Sequence, residues 1–380
     1  MNSSREFAER RRELIRILSR YRDPELAKRI VEKIHDIASR INEEKILLMS
    51  FCGTHEHTVT YYGIRSLMPE KIELVAGPGC PVCVTPARII DTAIKLALEE
   101  DVVIQTYGDM YKVPGSKLSL ATARSMGARV EIVYGFNDAV RRAKQRKDEE
   151  HVFIGVGFET TMPTVASYIY SNRIPDNLYV LPSYRLTPPI TEYMLQLKDI
   201  AINGIILPGH VSTIIGVESW LFLEGRVPSV IAGFEPIDIL IAILMILRQI
   251  LRGEARVENE YTRVVRFKGN EKARRIINKV FDVVDADWRG IGVVPDSGAT
   301  FRDEYRKIDV LEKYSIEVKK ATDIRPGCKC ADIVLGLAKP TDCPLFLKAC
   351  TPERPYGPCM VSSEGTCHIW AKYGGYLVNK

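Results

Sequence analysis

Apolar residues recur at a helical period through the first forty positions. Leu14, Leu18 and Tyr21 share a face, and Leu26, Ile30, Ile34, Ala38 and Ile41 follow at the same spacing. Asp23 reads as the cap of the second of two helices and Pro24 as part of its first turn. From residue 45 the rhythm changes. Short apolar runs of strand length, most ending in a Gly-, Pro- or Cys-containing motif, alternate with helical stretches. Lys45–Phe51, Ile72–Ala76, Val102–Thr106 and Arg129–Tyr134 form a first block, and Val152–Val156, Leu178–Pro182, Gly204–Leu207 and Val230–Ala232 a second. This alternation predicts an α/β protein. N-terminal helices over 1–42 would lead into two consecutive parallel-sheet domains, 43–150 and 151–252, facing a cleft. The apolar run Ile237–Leu247 is too short for a bilayer and reads as a buried helix. After Gly253 the chain turns charged, with one strand-like run at Tyr261–Phe267 and a helix carrying Ala273, Ile276, Ile277, Val280 and Phe281. Residues 253–380 would form a third, C-terminal α+β domain.

Composition narrows the class. With 380 residues, 46% of them apolar, the chain can bury a sizeable core without disulfides. A formal charge of +5 is too small to argue for nucleic acid, and the basic run Arg10–Arg12 reads as a solvated face. No apolar leader stands at the N-terminus, so a cytoplasmic protein that does not span a membrane is expected. In a reducing compartment, clustered cysteines point to metal, redox or catalytic chemistry.

Chemistry-bearing residues concentrate at strand ends. The motifs are CGTHEHT (52–58), GPGCPVC (77–83), TYGDMYKVPG (106–115), GFETT (157–161), PSYRLTPP (182–189), PGHVSTIIG (208–216) and GFEPID (233–238). Open parallel sheets bind ligands outside the carboxyl ends of their strands. Turn formation explains the glycines and prolines there, but not the repeated Cys, His, Glu, Asp and Arg. Cys52 beside His55 is a metal-ligand or nucleophile environment. Cys80 and Cys83 form a C-x-x-C able to close a disulfide, bind metal or exchange thiols. A helix starting at Val82–Val84 would favour thiolate at Cys83. Glu159 and Glu235 follow the same Gly-Phe pair; each either faces a ligand or caps a helix. Asp109 is a further candidate for the cleft.

Six of the nine cysteines, Cys328, Cys330, Cys343, Cys350, Cys359 and Cys367, crowd the C-terminal tail. Their irregular spacing suits an iron–sulfur cluster, which needs four thiolates, better than the paired knuckles of structural zinc. Zinc and unliganded or oxidised thiols stay open. Two functions survive on residues alone. One is a redox or metal-handling protein. The other is a thiol-nucleophile enzyme with Cys52 attacking an acyl or amidino substrate and His55 as base. A third option, a zinc-stabilised binding module, leaves the strand-end residues idle.

The ordered set CGTHEHT, GPGCPVC, GFETT, PGHVSTIIG and the CKC…C…C…GPCMVSSEGTC tail resembles the HypD family of NiFe-hydrogenase maturation factors, from about Cys52 to Tyr373. The resemblance implies an assembly scaffold with redox-active thiols rather than a turnover enzyme. Iron bearing two cyanides and one carbon monoxide, Fe(CN)2CO, would be built on it transiently. Its partners would be a HypC-type chaperone and a HypE-type cyanide donor. The family's iron-anchoring cysteine corresponds to Cys52 and its redox dithiol to Cys80 and Cys83. The tail is similar to the 4Fe–4S site of ferredoxin:thioredoxin reductase. That likeness implies Cys328, Cys343, Cys350 and Cys367 as cluster ligands, with Cys330 and Cys359 as a non-ligand redox pair. His55 would hydrogen-bond cyanide or shuttle a proton, and Glu159, Asp109 and Glu235 would line the same cleft.

Overall fold

The computed structural model describes residues 11, 13, 19–316 and 321–378. The helix face drawn through Leu14 and Leu18 lies outside them. The next helix forms as expected over Pro24–Ser39, with Asp23 Oδ1 accepting from the Leu26 amide at 3.0 Å.

Among the described residues eleven strands build two sheets. β1 (Ile46–Ser50), β2 (Ile72–Ala76), β3 (Val103–Thr106), β4 (Val130–Ile132), β5 (His151–Gly157), β6 (Leu178–Arg185), β7 (Gly204–Pro208) and β8 (Ser229–Ala232) match the eight expected apolar runs. β9 (Val257–Asn259), β10 (Phe281–Trp288) and β11 (Gly292–Phe301) follow. The first sheet has the order β2-β1-β7-β8-β9 and is parallel throughout. The second has the order β10-β11-β6-β5-β3-β4, parallel from β6 to β4, with an antiparallel hairpin on its edge.

This arrangement corrects the expected partition. The chain lays β1 and β2 in one sheet, builds β3 to β6 in the other, returns for β7 to β9, and leaves again for β10 and β11. The two sheets are therefore interleaved along the sequence rather than consecutive. They share a strand order, however. In each, the first strand lies inside, its successor on one side and later strands on the other, which creates a switch point beside β1 and a second beside β3. Region 253–380 contributes strands to both sheets instead of forming a sheet of its own. Tyr261–Phe267 is a set of turns, with Val264 and Phe267 exposed.

Strand alternation explains how the sheets pack. Met49, Ile205, Leu207, Val152, Ile154 and Leu181 point into one shared core, while Leu48, Ile206 and Val230 face the helices outside the first sheet. Phe153, Val180 and Tyr184 face outward from the second. The helix Pro236–Arg252 buries Ile239, Ile243 and Ile246 together with Ile30 and Ile34 of Pro24–Ser39. The buried tail cysteines, with Ile333, Phe346, Met360 and Trp370, belong to the core that the two sheets share. No described helix is long and apolar enough to cross a membrane.

Candidate functional site

β1 and β2 pair in parallel with Ser50 opposite Ala76, so their following loops leave the sheet side by side. The Gly77 amide donates to the Ser50 carbonyl at 2.8 Å, and the Gly53 amide to the Gly79 carbonyl at 3.3 Å. A Cβ on Gly79 would sit 2.3 Å from the Cys52 nitrogen, so only glycine permits this approach. Cys52 is the residue before helix Gly53–Tyr61, at the switch point beside β1. Burial pushes its thiol up to about 11, against the pull of the His55 and Thr54 amides and the Thr54 hydroxyl.

Cys80 and Cys83 form a disulfide. No helix starts at Val82–Val84; residues 81–84 form a turn and the next helix is Ala87–Glu99. The Cys83 amide instead donates to Cys80 Sγ at 3.2 Å. The turn thus favours thiolate at Cys80, reversing the expectation for Cys83.

The tail closes over this trio. Cys52, Cys80 and Cys83 line one small cavity together with Glu56, Cys359 and Glu364. A Cβ on Gly53 would lie 2.5 Å from the Glu364 carbonyl oxygen, so the tail backbone lies directly against the start of the Cys52 helix. Glu364 is open to solvent on one side; packing on the other and the charge of Asp109 raise its pKa. Asp109, just beyond β3, reaches the tail rather than the cavity. Its Oδ2 accepts from the Ser363 amide at 2.9 Å, Ser363 Oγ at 2.8 Å and Ser362 Oγ at 3.1 Å. Glu56 fixes the tail helix Thr366–Tyr373. It accepts from Trp370 Nε1 at 2.7 Å and from Arg65 Nη2 at 2.6 Å, with the Arg65 guanidinium 5.0 Å from the Trp370 ring centre.

All six tail cysteines line a second small cavity, and Cys359 borders both. Cys330 and Cys359 are 3% and 2% exposed and hydrogen-bond each other, the deepest pair of the six. Hydrogen bonding to Cys330, then burial, holds the Cys328 thiol far above its ordinary pKa. A Cβ on Gly357 would lie 2.7 Å from Cys328 Sγ, so the loop leaves no room for a side chain there. Among the described residues no three His, Cys, Asp or Glu side chains are grouped around a single ion-sized point. Arg289, at the tip of the β10–β11 hairpin, is buried near Cys330 and Cys328 and donates to the carbonyls of Asp323 and Pro114.

Three expected site residues are engaged by other partners. His55 is fully buried, with Ser50 Oγ 3.1 Å from Nδ1 and the Ala232 carbonyl 3.3 Å from Nε2. Both ring nitrogens are engaged, so His55 has none left to serve as base for Cys52. Glu159 accepts from the Thr187 amide at 2.7 Å and Thr187 Oγ1 at 2.8 Å; it satisfies the start of helix Thr187–Met194 and borders a different cavity. Glu235 caps helix Pro236–Arg252 and pairs with Arg22. Sequence reading missed Glu364, Ser362 and Arg289. Glu56 counted there only as the carboxylate of the first motif, without the tie to the tail helix.

A family model described as "HypD: Hydrogenase formation hypA family" matches residues 25–374. A candidate hydrogenase expression/formation protein of Methanocaldococcus jannaschii is 48% identical over 92% of this chain and 98% of its own. The hydrogenase maturation factors HypD of Cupriavidus necator and Escherichia coli are 40% and 37% identical, over 95% and 94% of this chain and 98% of each of theirs. The chain belongs to the HypD family of hydrogenase maturation factors.

Proposed function

We propose that this chain is the scaffold on which the Fe(CN)2CO unit is assembled during NiFe-hydrogenase maturation. The observation that carries the reading is the meeting of Cys52, Cys80, Cys83 and Cys359 on one cavity, with Cys359 also bordering the six-cysteine cavity. Iron is the cargo, and Cys52 is its anchor. A thiol held near 11 releases its proton when it takes a metal, and the amides of Thr54 and His55 stabilise the thiolate.

The six-thiol lining of the tail cavity supports a 4Fe–4S cluster as the group held there. Its thiols surround one void, and Ile333, Leu345, Phe346 and Met360 line the rest of it. Cys328, Cys343, Cys350 and Cys367 would hold the cluster, which supplies single-electron exchange when bound. Cys330 and Cys359 then remain as a dithiol. Cys359 thiolate attacks the Cys80–Cys83 disulfide and forms a mixed disulfide. Cys330 thiolate attacks Cys359, closing Cys330–Cys359 and leaving Cys80 and Cys83 as thiols. One S–S bond breaks for each that forms, and two electrons and two protons pass to the upstream pair. A HypC-type chaperone and a HypE-type cyanide donor are the partners of this reading, and the cytoplasm its compartment.

The test is infrared spectroscopy of protein purified anaerobically with its partners. Cyanide and carbon monoxide bands are expected in the wild type and absent in Cys52→Ala. Bands that persist in Cys52→Ala remove Cys52 as anchor. The thiol-nucleophile reading loses its base, because His55 is spent on Ser50 and Ala232.

A further inference from the structure

Ser362 is fully buried, and its hydroxyl stands between two groups of different kinds. Asp109 Oδ2 is 3.1 Å away and Cys80 Sγ 3.4 Å away. The hydroxyl also accepts from the Glu364 amide at 3.2 Å, which fixes the oxygen and leaves a single hydrogen to place. With Cys80 in a disulfide, the carboxylate is the stronger acceptor and takes that hydrogen. Asp109 does not depend on it, since the Ser363 amide and hydroxyl donate to the same oxygen. Cys80 Sγ already receives the Cys83 amide at 3.2 Å. No comparable donor to Cys83 Sγ exists among the described residues. The two sulfurs of the pair are therefore electrostatically unequal.

We propose that Ser362 is a positioning residue that selects which way the Cys80–Cys83 disulfide opens. The inference rests on the reading of that pair as a redox dithiol, but not on the iron cargo. An attacking thiolate, from Cys359 or from a dithiol in solution, bonds to Cys83 Sγ. The Cys80–Cys83 bond breaks and its electron pair leaves on Cys80 Sγ. The Ser362 hydrogen then turns from Asp109 to the new thiolate, where it joins the Cys83 amide. A better-stabilised leaving thiolate departs faster. Solvent exposure argues the other way, at 7% for Cys80 against 1% for Cys83. The hydrogen-bond asymmetry and exposure thus predict different products.

The experiment exposes anaerobically prepared full-length protein to a monothiol, 2-mercaptoethanol, then quenches with iodoacetamide and maps the peptides. The expected product carries the mercaptoethanol adduct on Cys83 and the alkyl group on Cys80. In Ser362→Ala, opening is expected to slow about tenfold, the scale of one hydrogen bond to a charged group, and the preference for Cys83 to fade. Ser362→Thr keeps the hydroxyl and is expected to restore both. An adduct on Cys80 in the wild type overturns the proposal, as do unchanged rate and product in Ser362→Ala. If Ser362→Ala unfolds, the wild-type product and the Thr variant still decide. Infrared bands of bound cyanide are read separately. Their loss in the wild type would sink the scaffold reading while leaving the direction of opening measurable.

Discussion

The His55 ring has one carbonyl partner, Ala232, and a carbonyl only accepts. Nε2 therefore carries the hydrogen and Nδ1 accepts from Ser50. Complete burial holds this neutral form and lowers the pKa from 6.5 to about 4. Between those values the unfolded chain takes up a proton that the folded chain refuses. The stability gained by keeping His55 neutral is present above pH 6.5 and lost as pH falls towards 4, about 3 kcal/mol in all. The urea midpoint of the wild type should fall between pH 7 and 5. His55→Gln, less stable at pH 7, should show a shallower fall, and parallel profiles would assign the effect to another group. His55 was misread because sequence places it one helical turn from Cys52, whereas burial against β8 is a non-local fact. Glu159 and Glu235 stood open between a ligand and a helix cap, and each serves the start of a helix. A carboxylate at a strand end looks the same in sequence whether it meets a ligand or a helix's free amides. That Cys52, Cys80 and Cys83 would come together was legible because all three stand in the glycine-rich loops after strands that pair.

At the scale of elements, two carboxylates that both serve helices differ in what their removal costs. Glu56 joins the Cys52 helix to the tail helix through Trp370 and Arg65, and its side chain and that of Arg65 are 2% and 12% exposed. Glu56→Ala leaves a largely covered guanidinium without its counter-charge, though still bonded to Thr60 and Leu74, and an indole N–H without its acceptor, and should cost about 3 kcal/mol. Glu235 pairs with an Arg22 side chain that is 58% exposed, so Glu235→Ala should cost only about 1 kcal/mol, mostly the lost cap. Denaturant titration of the two variants checks the ratio. Comparable losses would mean that the tail helix is held chiefly by its apolar contacts. The eight strands up to β8 were legible element by element, because each apolar run is bounded by turn residues. The β10–β11 hairpin was not, since half of β10 is exposed on a sheet edge and the run carries acidic residues at Asp282, Asp285 and Asp287.

For the whole molecule, strand pairing was the illegible part. A parallel strand's partner can lie anywhere in the chain; β1 pairs with β7 across more than 150 residues. Block-wise reading therefore found both α/β halves but divided them at the wrong places. The interleaving brings the loops after β1, β2 and β3 to the same tail segment. Cys52 and the disulfide come from one sheet, while Asp109, which holds Ser362 and Ser363, comes from the other. The proposed relay through Cys359 depends on that convergence, and it predicts two roles among the six tail thiols. Cys359→Ser and Cys330→Ser should keep a cluster of about four irons per chain and yet leave Cys80–Cys83 oxidised when the cluster is reduced. Cys343→Ala or Cys350→Ala should lose iron first. Iron content, with mass-spectrometric counting of free thiols at Cys80 and Cys83 after anaerobic reduction, reads both effects in one preparation. Loss of iron in Cys359→Ser would move that residue into the ligand set. Full reduction of Cys80–Cys83 in the same variant would mean that electrons reach the upstream pair without passing through the one thiol that borders both cavities.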